Sequence, residues 1–441
     1  MPKLLPIQAI TFDTQNGADL STRIAPPYDV LDEGPKRKLL DRDDHNIVAV
    51  DLPVTPPKTV GPDEKYEQAG ELFRQWLKQG VLVQSDKPAI FAYEQVYTVA
   101  GVQLARRGLI AAVGLEEFNR KDGGVFRHEM TIQGGINDRY KLMQATQAQL
   151  SPIFGIFSDP EGEVAARLSD HFDNREPDMH GVTSTDGVNH RVWRVDDADV
   201  ISSLQYFFVM NDVFIADGHH RYTTALKFHE DHPDLPSAEG CLFVLVAAED
   251  PGMIVLPTHR VLVGLNGLSV DRLKAACEKS TVLDLAETDY TPEQAAAFAE
   301  DLPNHEHHAM GLYFPGESKL YRLTFRGTDP LSGCKPSKPE VWRQLDVAIL
   351  QHFFVEQIIE PQFGDPANSV SVSYKYTANL PEMIELTNAG DADAGGRLGV
   401  IVQPTPLESV MGVSRADEVM PAKSTYFYPK LATGLVINPL A

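Results

Sequence analysis

The chain has 441 residues, enough for two to three domains or one large two-lobed unit, and its apolar fraction of 43% can supply a sizeable core. Lys and Arg number 39 against 62 Asp and Glu, giving a net charge of −23 that disfavours nucleic acid as a partner. A local basic pocket can still bind a small anionic ligand.

Membrane and disulfide signals are absent from the sequence. No apolar run reaches about 18 residues, so we expect no transmembrane helix and no membrane partner. The first residues lead into ordinary globular sequence without a signal peptide, and we expect a cytoplasmic protein. Cys241, Cys277 and Cys334 match neither a disulfide framework nor a zinc spacing, so we interpret them as reduced and structural. The oligomeric state is not indicated.

The chain begins with a turn-rich stretch that ends in A-P-P-Y-D-V at residues 25–30. The two prolines force an extended backbone and prevent a helix. Tyr28 and Asp29 are therefore held on a rigid loop, and a structural turn and a substrate-binding position are both open readings.

Apolar patterning then predicts a strand, a helix and a hairpin. The strand is expected over residues 46–52, and the helix from Asp63 to its end at Gly80. Two strand-like runs, 89–99 and 102–113, flank Ala100 and Gly101, which is typical of a hairpin.

A glycine-rich loop at residues 123–135 and the helix start after it carry charged side chains. The candidates in this region are Arg127, His128, Glu129, Thr131, Arg139 and Lys141. Arg-His-Glu has the parts of an acid–base pair with an anion clamp, although a solvated charged loop also explains it. A metalloprotease helix is excluded because the second His is missing.

The stretch D-G-H-H-R-Y at residues 217–222 is the strongest functional signal. An apolar run, 213–216, predicts a buried strand before it, and the spacing of 222–228 predicts a helix after it. Such a turn concentrates Asp217, His219, His220 and Arg221 around Gly218 at a helix N-terminus, where an anion such as phosphate is held well. The alternative is Asp217 as a helix cap with two surface histidines and a surface Arg221.

Later elements include a helix over about 341–359, a strand over 370–376 and a polar loop at 305–308 with three histidines. Near the end, K-S-T-Y-F-Y-P-K occupies residues 423–430. Lys423 and Ser424 are candidates for contacting an anion, and a C-terminal strand docked on the core is the alternative. Alternating strands and helices with hairpins predict an α/β (mixed α+β) fold of layered sheets with helices. We expect lobes at 1–200 and 201–441, forming one continuous unit.

Several of these motifs occur together in one family. The order of P-P-Y-D-V, R-H-E, D-R, S-P-I-F, D-G-H-H-R-Y and K-S-T-Y-F-Y-P-K resembles the bacterial and archaeal family called domain of unknown function 1015. The resemblance runs from about residue 7 to 437. The segment Q-G-G-I-N at 133–137 departs from the family's usual lead into Asp-Arg, which affects the shape of that loop. The family name declares no activity.

The D-G-H-H-R turn also resembles the phosphate-binding turn of ParB-like nucleotide-binding proteins, including free-serine kinases. This resemblance implies a ParB-like nucleotide-binding region around 200–230, with Asp217, His219, His220 and Arg221 as phosphate-binding and catalytic residues.

Three functions are compatible with these motifs. The first is a phosphotransferase that uses ATP or ADP on a small serine-like hydroxylated metabolite. In it, Asp217 or Glu129 accepts the hydroxyl proton and Mg²⁺ bridges the phosphates and the Asp217 carboxylate. Gly218, Arg221, Arg127, Arg139 and Lys423 are the expected nucleotide-binding residues, and Tyr28, Asp29 and His128 the substrate-binding ones. The alternatives are a phosphomonoester hydrolase and a nucleotide-binding regulatory protein without turnover.

Overall fold

A computed structural model describes residues 2–15, 17–305, 308–364, 372–389 and 396–440. The chain forms two compact units, residues 1–254 with 427–441, and residues 255–426. The D-G-H-H-R turn lies inside the first unit, and residue 200, where we expected a lobe boundary, lies within a helix of that unit. The reason is that the strand before the turn joins the same sheet as the strands of the N-terminal half.

Both units combine sheets with helices, which confirms the mixed α/β class. The strands are β1 (Leu4–Leu5), β2 (Ile10–Phe12), β3 (Leu82–Gln84), β4 (Ile90–Val99), β5 (Val102–Gly114), β6 (Val125–Phe126), β7 (Ala148–Gln149), β8 (Ile153–Phe157), β9 (Met179–Val182), β10 (Asn189–Val195), β11 (Val213–Asp217), β12 (Gly240–Ala247), β13 (Ile254–Leu256), β14 (His259–Leu265), β15 (Leu283–Glu287), β16 (Ala309–Tyr313), β17 (Tyr321–Phe325), β18 (Ser373–Thr377), β19 (Gly396–Ile401), β20 (Tyr426–Tyr428) and β21 (Asn438–Pro439).

The described residues also form α-helices. They are α1 (Glu33–Leu40), α2 (Val48–Asp51), α3 (Asp63–Gln79), α4 (Gln133–Thr146), α5 (Glu163–Asn174), α6 (Ala198–Val209), α7 (His219–Asp231), α8 (Val270–Glu278), α9 (Ala295–Asp301), α10 (Glu340–Arg343), α11 (Asp346–Ile349), α12 (Glu360–Phe363), α13 (Leu380–Asn388) and α14 (Leu407–Arg415).

The first unit is built on a sheet in the order β6-β11-β8-β12-β5-β4-β10-β9, with β1 beside β5. β11 runs antiparallel to β8 and parallel to β6, so it lies near one edge of the sheet. Its apolar residues are buried in the main core of the unit together with Tyr222 and Phe228 of α7. The strand and the helix on either side of the turn are thereby fixed by burial of apolar surface.

The second unit contains an antiparallel sheet in the order β15-β17-β16-β19-β14-β18. One of its cores includes Val261 of β14, Phe298 of α9 and Met383 of α13. None of the helices in the described part of the chain has the length and hydrophobicity needed to cross a membrane.

Several expected elements are confirmed. α3 begins at Asp63, buries Phe73 and Trp76, and ends where Gly80 takes a left-handed conformation with φ 74°. The hairpin is β4–β5, and both Ala100 and Gly101 have positive φ, as its tight turn requires.

Other expected elements are wrong, or lie partly outside the described residues. Residues 48–51 form the short helix α2 and not a strand, because the Asn46 side chain accepts the Val48 N–H and starts a helical turn. The helix expected over 341–359 is interrupted at Leu345, whose backbone is extended. Residues 370 and 371 of the expected strand, and residues 306 and 307 of the histidine loop, lie outside the described residues.

Candidate functional site

The D-G-H-H-R segment has the predicted strand–turn–helix geometry. β11 ends at Asp217, Gly218 takes a left-handed φ of 103°, and α7 begins at His219. Gly218 and not Asp217 is therefore the N-cap, and no side chain caps the helix. A helix of 13 residues starts here with its first-turn N–H groups unserved by a capping side chain, which favours a negatively charged group at this position.

Asp217 is held between two cations. The Lys430 ammonium lies 3.0 Å from one carboxylate oxygen of Asp217, and the Arg221 guanidinium lies 3.8 Å from the other. Burial opposes the ionised form, but the positive charges of Lys430 and Arg221 prevail and lower the pKa of the Asp217 carboxyl. Asp217 is thus a permanent anion at neutral pH.

Arg221 is buried, so the alternative that places it at the surface is wrong. Its exposed fraction is 9%, and besides facing Asp217 it donates a hydrogen bond to the carbonyl of Pro152. The guanidinium also passes over Gly218, where an added Cβ would lie 3.0 Å from it. Arg221 therefore ties the turn to the start of β8.

His219 is buried as well, so the reading of two surface histidines is wrong. Its Nε2 accepts the backbone N–H of His128 at 3.4 Å, and the two imidazole rings meet edge to face at 4.7 Å. Burial and the neighbouring His128 lower the pKa of His219 well below its usual range. A neutral ring whose Nε2 accepts a hydrogen bond carries its proton on Nδ1.

Glu129 lies beside that nitrogen. One Glu129 carboxylate oxygen is 3.8 Å from His219 Nδ1, and the Glu129 side chain is 47% exposed. Arg127 from the same loop contributes positive charge near His219, while its guanidinium packs on the Phe118 ring at 4.9 Å. The Arg127–Glu129 loop and the D-G-H-H-R turn therefore meet, although about 90 residues separate them.

His220 connects the turn to a second loop. Its Nε2 accepts the N–H of Ile132 at 3.0 Å, and burial, followed by the charge of Lys58, lowers the pKa of His220 to about 4. Asp29 lies near it and pairs with Lys58 at 3.2 Å. The other Asp29 oxygen is buried, and no described residue forms a hydrogen bond with it.

Arg139 and Tyr28 form a neighbouring buried cluster. Arg139 pairs with Asp51 at 3.3 Å and Asp138 at 2.8 Å, and its guanidinium stacks on the Tyr28 ring at 3.8 Å. Arg139 and Arg221 line one cavity of about 40 Å³ together with Asp51. The positive charges of both arginines act on the Asp51 carboxylate. With two carboxylates already beside Arg139, its role in binding a nucleotide stays a prediction, as does that of Tyr28 in binding a substrate.

The expected role of Lys423 in binding a nucleotide stays a prediction. Lys423 belongs to the second unit, is exposed, and has a left-handed backbone with φ 57°. Lys430, the last residue of K-S-T-Y-F-Y-P-K, contacts Asp217, and this role was not predicted from the sequence. Its membership of the C-terminal motif was the available signal. The pairing of Lys58 with Asp29 was also not predicted, because the Pro-rich loop that carries Lys58 contains no recognisable motif.

Within the described part of the chain, protein side chains alone do not form a magnesium site. No group of three or more His, Cys, Asp or Glu side chains in the described residues is arranged to hold a metal ion. Asp217 is also already compensated by two cations. Mg²⁺ commonly binds through one or two carboxylates plus phosphates and water. Its contact with Asp217 therefore stays a prediction.

With this geometry in view, comparison with known proteins identifies the family. The model of the family described as "Protein of unknown function (DUF1015)" matches residues 4–348, and the chain belongs to that family. The expected family resemblance is thus confirmed. A search of curated proteins found no match.

Similar solved structures include a mutant of free serine kinase in complex with AMP, at 13% identity and a TM-score of 0.33, covering 70% of this chain and 89% of that chain. SbnI with a C-terminal truncation, from Staphylococcus aureus, is 10% identical with a TM-score of 0.34, covering 75% and 87%. A conserved hypothetical protein from Pyrococcus furiosus is 13% identical with a TM-score of 0.31, covering 70% and 92%. Similarity this distant assigns no ligand and no residue role.

Proposed function

We propose that the first unit binds a phosphate group at the start of α7 and transfers a phosphoryl group from ATP or ADP to a small, serine-like hydroxylated metabolite. The observation that carries the proposal is the placement of the half-exposed Glu129 carboxylate beside His219, at an uncapped helix N-terminus. Phosphoryl transfer needs positioned positive charge and a proton acceptor more than covalent chemistry, and both are found together here.

Positive charge at the phosphate comes from three sources. The first-turn N–H groups of α7 carry the positive end of the helix dipole. The Lys430 ammonium lies beside Asp217, and the Arg221 guanidinium lies against Gly218. Asp217 acts as a positioning residue that keeps the Lys430 ammonium at the turn. Gly218 lets the backbone approach the phosphate, since no Cβ projects there.

Glu129 is the proton acceptor in this proposal. Asp217 is a poor base, because two adjacent cations lower the pKa of its carboxyl. The His219 Nδ1 lies 3.8 Å from a Glu129 carboxylate oxygen, and in this proposal its N–H orients that carboxylate when the substrate is bound. The substrate hydroxyl oxygen forms the new P–O bond, the bond to the nucleotide leaving group breaks, and the hydroxyl proton passes to Glu129. Mg²⁺, when bound with the nucleotide, would neutralise phosphate charge.

The test is a phosphoryl-transfer assay followed by ³¹P NMR, with ATP or ADP, Mg²⁺ and a panel of hydroxy amino acids. We expect a phosphomonoester product, and we expect Glu129→Gln to lower turnover by about 10²-fold or more while nucleotide affinity and melting stay near wild type. Glu117→Gln, in the strand-to-loop connection nearby, is the matched control. Nucleotide binding without product would contradict transfer and favour a regulatory module. Phosphate release from a phosphomonoester without a nucleotide would favour a hydrolase.

A further inference from the structure

Arg260 of the second unit is a buried cation that pairs with no carboxylate among the described residues. It belongs to the sequence T-H-R at residues 258–260, lies in β14, which begins at His259, and has an exposed fraction of 3%. Within the described part of the chain, Arg260 forms no ion pair with Asp or Glu. Burying an unpaired charge is costly, so such a guanidinium needs either dense hydrogen bonding or an anion.

Hydrogen bonding within the protein satisfies Arg260 only in part. Its Nη1 donates to the Thr258 carbonyl at 3.2 Å and its Nη2 to the Lys423 carbonyl at a long 3.5 Å. Tyr376 supplies a side-chain contact, with its ring centroid 5.6 Å from the guanidinium. A guanidinium has five N–H donors, so this set leaves donor capacity unused.

Arg106 in the first unit shows how a purely structural buried arginine differs. It is 1% exposed and has no ion pair with a described carboxylate either. Its guanidinium, however, donates to the Gln95 side chain and to the carbonyls of Tyr428 and Pro429 through all three nitrogens. Hydrogen bonds within the protein therefore satisfy the Arg106 guanidinium, whereas the Arg260 guanidinium has fewer and longer hydrogen bonds.

A second unsatisfied group lies two residues before Arg260. The Thr258 side chain is 7% exposed, and its hydroxyl oxygen is buried without a hydrogen-bond partner in the described residues. In an extended chain, side chains two residues apart point to the same side. Thr258 can therefore add an O–H donor on the side where Arg260 lies.

The 421–425 segment completes the surroundings. The Thr405 hydroxyl donates to the Ser424 carbonyl at 2.8 Å, which fixes the segment while the neighbouring Lys423 carbonyl receives the long bond from Arg260. Lys423 itself is exposed. The segment next to Arg260 therefore carries a second positive side chain. None of its residues is a carboxylate that could pair with Arg260.

We propose that Arg260 and Thr258 form an oxyanion-binding site in the second unit, which takes the carboxylate or phosphate group of a small ligand. The guanidinium can bind either group through two parallel N–H···O bonds, and the Thr258 hydroxyl donates a third. Burial lowers the pKa of Arg260, so a bound anion would also stabilise its charged form. The site requires no property of the first unit and stands whether or not that unit transfers phosphate.

The test measures anion binding by calorimetry on the full chain in a Lys430→Met background, which removes the cation proposed to hold phosphate in the first unit. Inorganic phosphate and acetate are titrated separately at constant ionic strength with chloride. We expect at least one of them to bind, and Arg260→Gln to weaken that binding about tenfold or more. Arg326→Gln, an exposed arginine of the same unit paired with Asp284, is the control and should bind as the background does.

Thr258→Val provides a second variant that retains the guanidinium. It should weaken the same anion several-fold without loss of folding, so the proposal stays testable if Arg260→Gln does not fold. Preference for phosphate or for acetate identifies which oxyanion the site takes. Binding of neither anion in the Lys430→Met background, or equal binding by the Thr258 and Arg260 variants and the control, would overturn the proposal.

Discussion

Arg221 illustrates how one side chain at the turn changes meaning once its surroundings are known. From the sequence it is a helix-start arginine whose loss should alter stability by less than about 1 kcal/mol. In the structure it is buried, ion-paired with Asp217 and hydrogen-bonded to the Pro152 carbonyl. It therefore connects the turn to the sheet as well as supplying charge.

We now expect Arg221→Ala to destabilise the protein by about 2–3 kcal/mol, because a buried carbonyl and part of the Asp217 charge lose their partner. Lys430 remains beside Asp217, which keeps the cost below that of an uncompensated buried charge. Arg167→Ala, at an exposed i,i+4 pair with Glu163, should cost less than about 1 kcal/mol. Denaturant unfolding of both variants measures the difference, and equal losses would show that Arg221 is not structural.

At the scale of elements, the turn between β11 and α7 depends on a glycine at the N-cap. Gly218 has φ 103°, a conformation that L residues rarely adopt, and an added Cβ would lie 3.0 Å from the Arg221 guanidinium. Gly162, the N-cap of α5, also has a positive φ of 68°, but no atom lies within 4 Å of its would-be Cβ. A comparison of the two positions therefore distinguishes the cost of the left-handed backbone from the cost of the clash with Arg221.

We expect Gly218→Ala to cost more stability than Gly162→Ala. The Gly162 change should cost about 1–2 kcal/mol from the left-handed backbone alone. The Gly218 change adds displacement of Arg221 and should also weaken nucleotide binding. Melting temperatures and nucleotide titrations of the two variants test this. If the Gly218→Ala protein has the same melting temperature as the Gly162→Ala protein and binds nucleotide normally, Arg221 adjusts without cost to the added methyl group.

At the scale of the whole molecule, buried histidines couple stability to pH. Burial lowers the pKa of His128 to about 4 and that of His190 to about 3. Histidine in an unfolded chain has a pKa of about 6.5. Between about pH 6.5 and 4 the unfolded state therefore binds more protons than the folded state, so the free energy of unfolding falls as the pH falls.

We expect the melting temperature to decrease steadily from pH 6.5 to pH 4. Asp217 acts in the same direction at lower pH: the pKa of its carboxyl is lowered by folding, so its contribution is present above about pH 4 and disappears on further acidification. His190→Gln removes one of the titrating groups, away from the turn, where His190 contacts Tyr93 and Thr183. The slope of melting temperature against pH should be smaller in this variant, and an unchanged slope would contradict the assignment.

Features that depend on local patterns could be predicted from the amino-acid sequence. The β4–β5 hairpin follows from two strand-like runs around Ala100 and Gly101, and the β11–Gly218–α7 unit follows from an apolar run, a glycine and helical spacing. The motifs also indicated the family. Local patterns failed at residues 46–52, since a short apolar run looks the same in a buried helix as in a strand.

The contacts between distant charged residues, in contrast, are known only from the folded structure. Lys430 is 213 residues from Asp217, and His128 is 91 residues from His219, so neither contact has a local signature. Burial likewise depends on the packing of the whole first unit, and it is burial that makes His219 neutral and Arg221 structural. Our proposal that Glu129, and not Asp217, accepts the proton rests on those long-range contacts, because the protonation of a carboxylate is set by the charges and solvent around it.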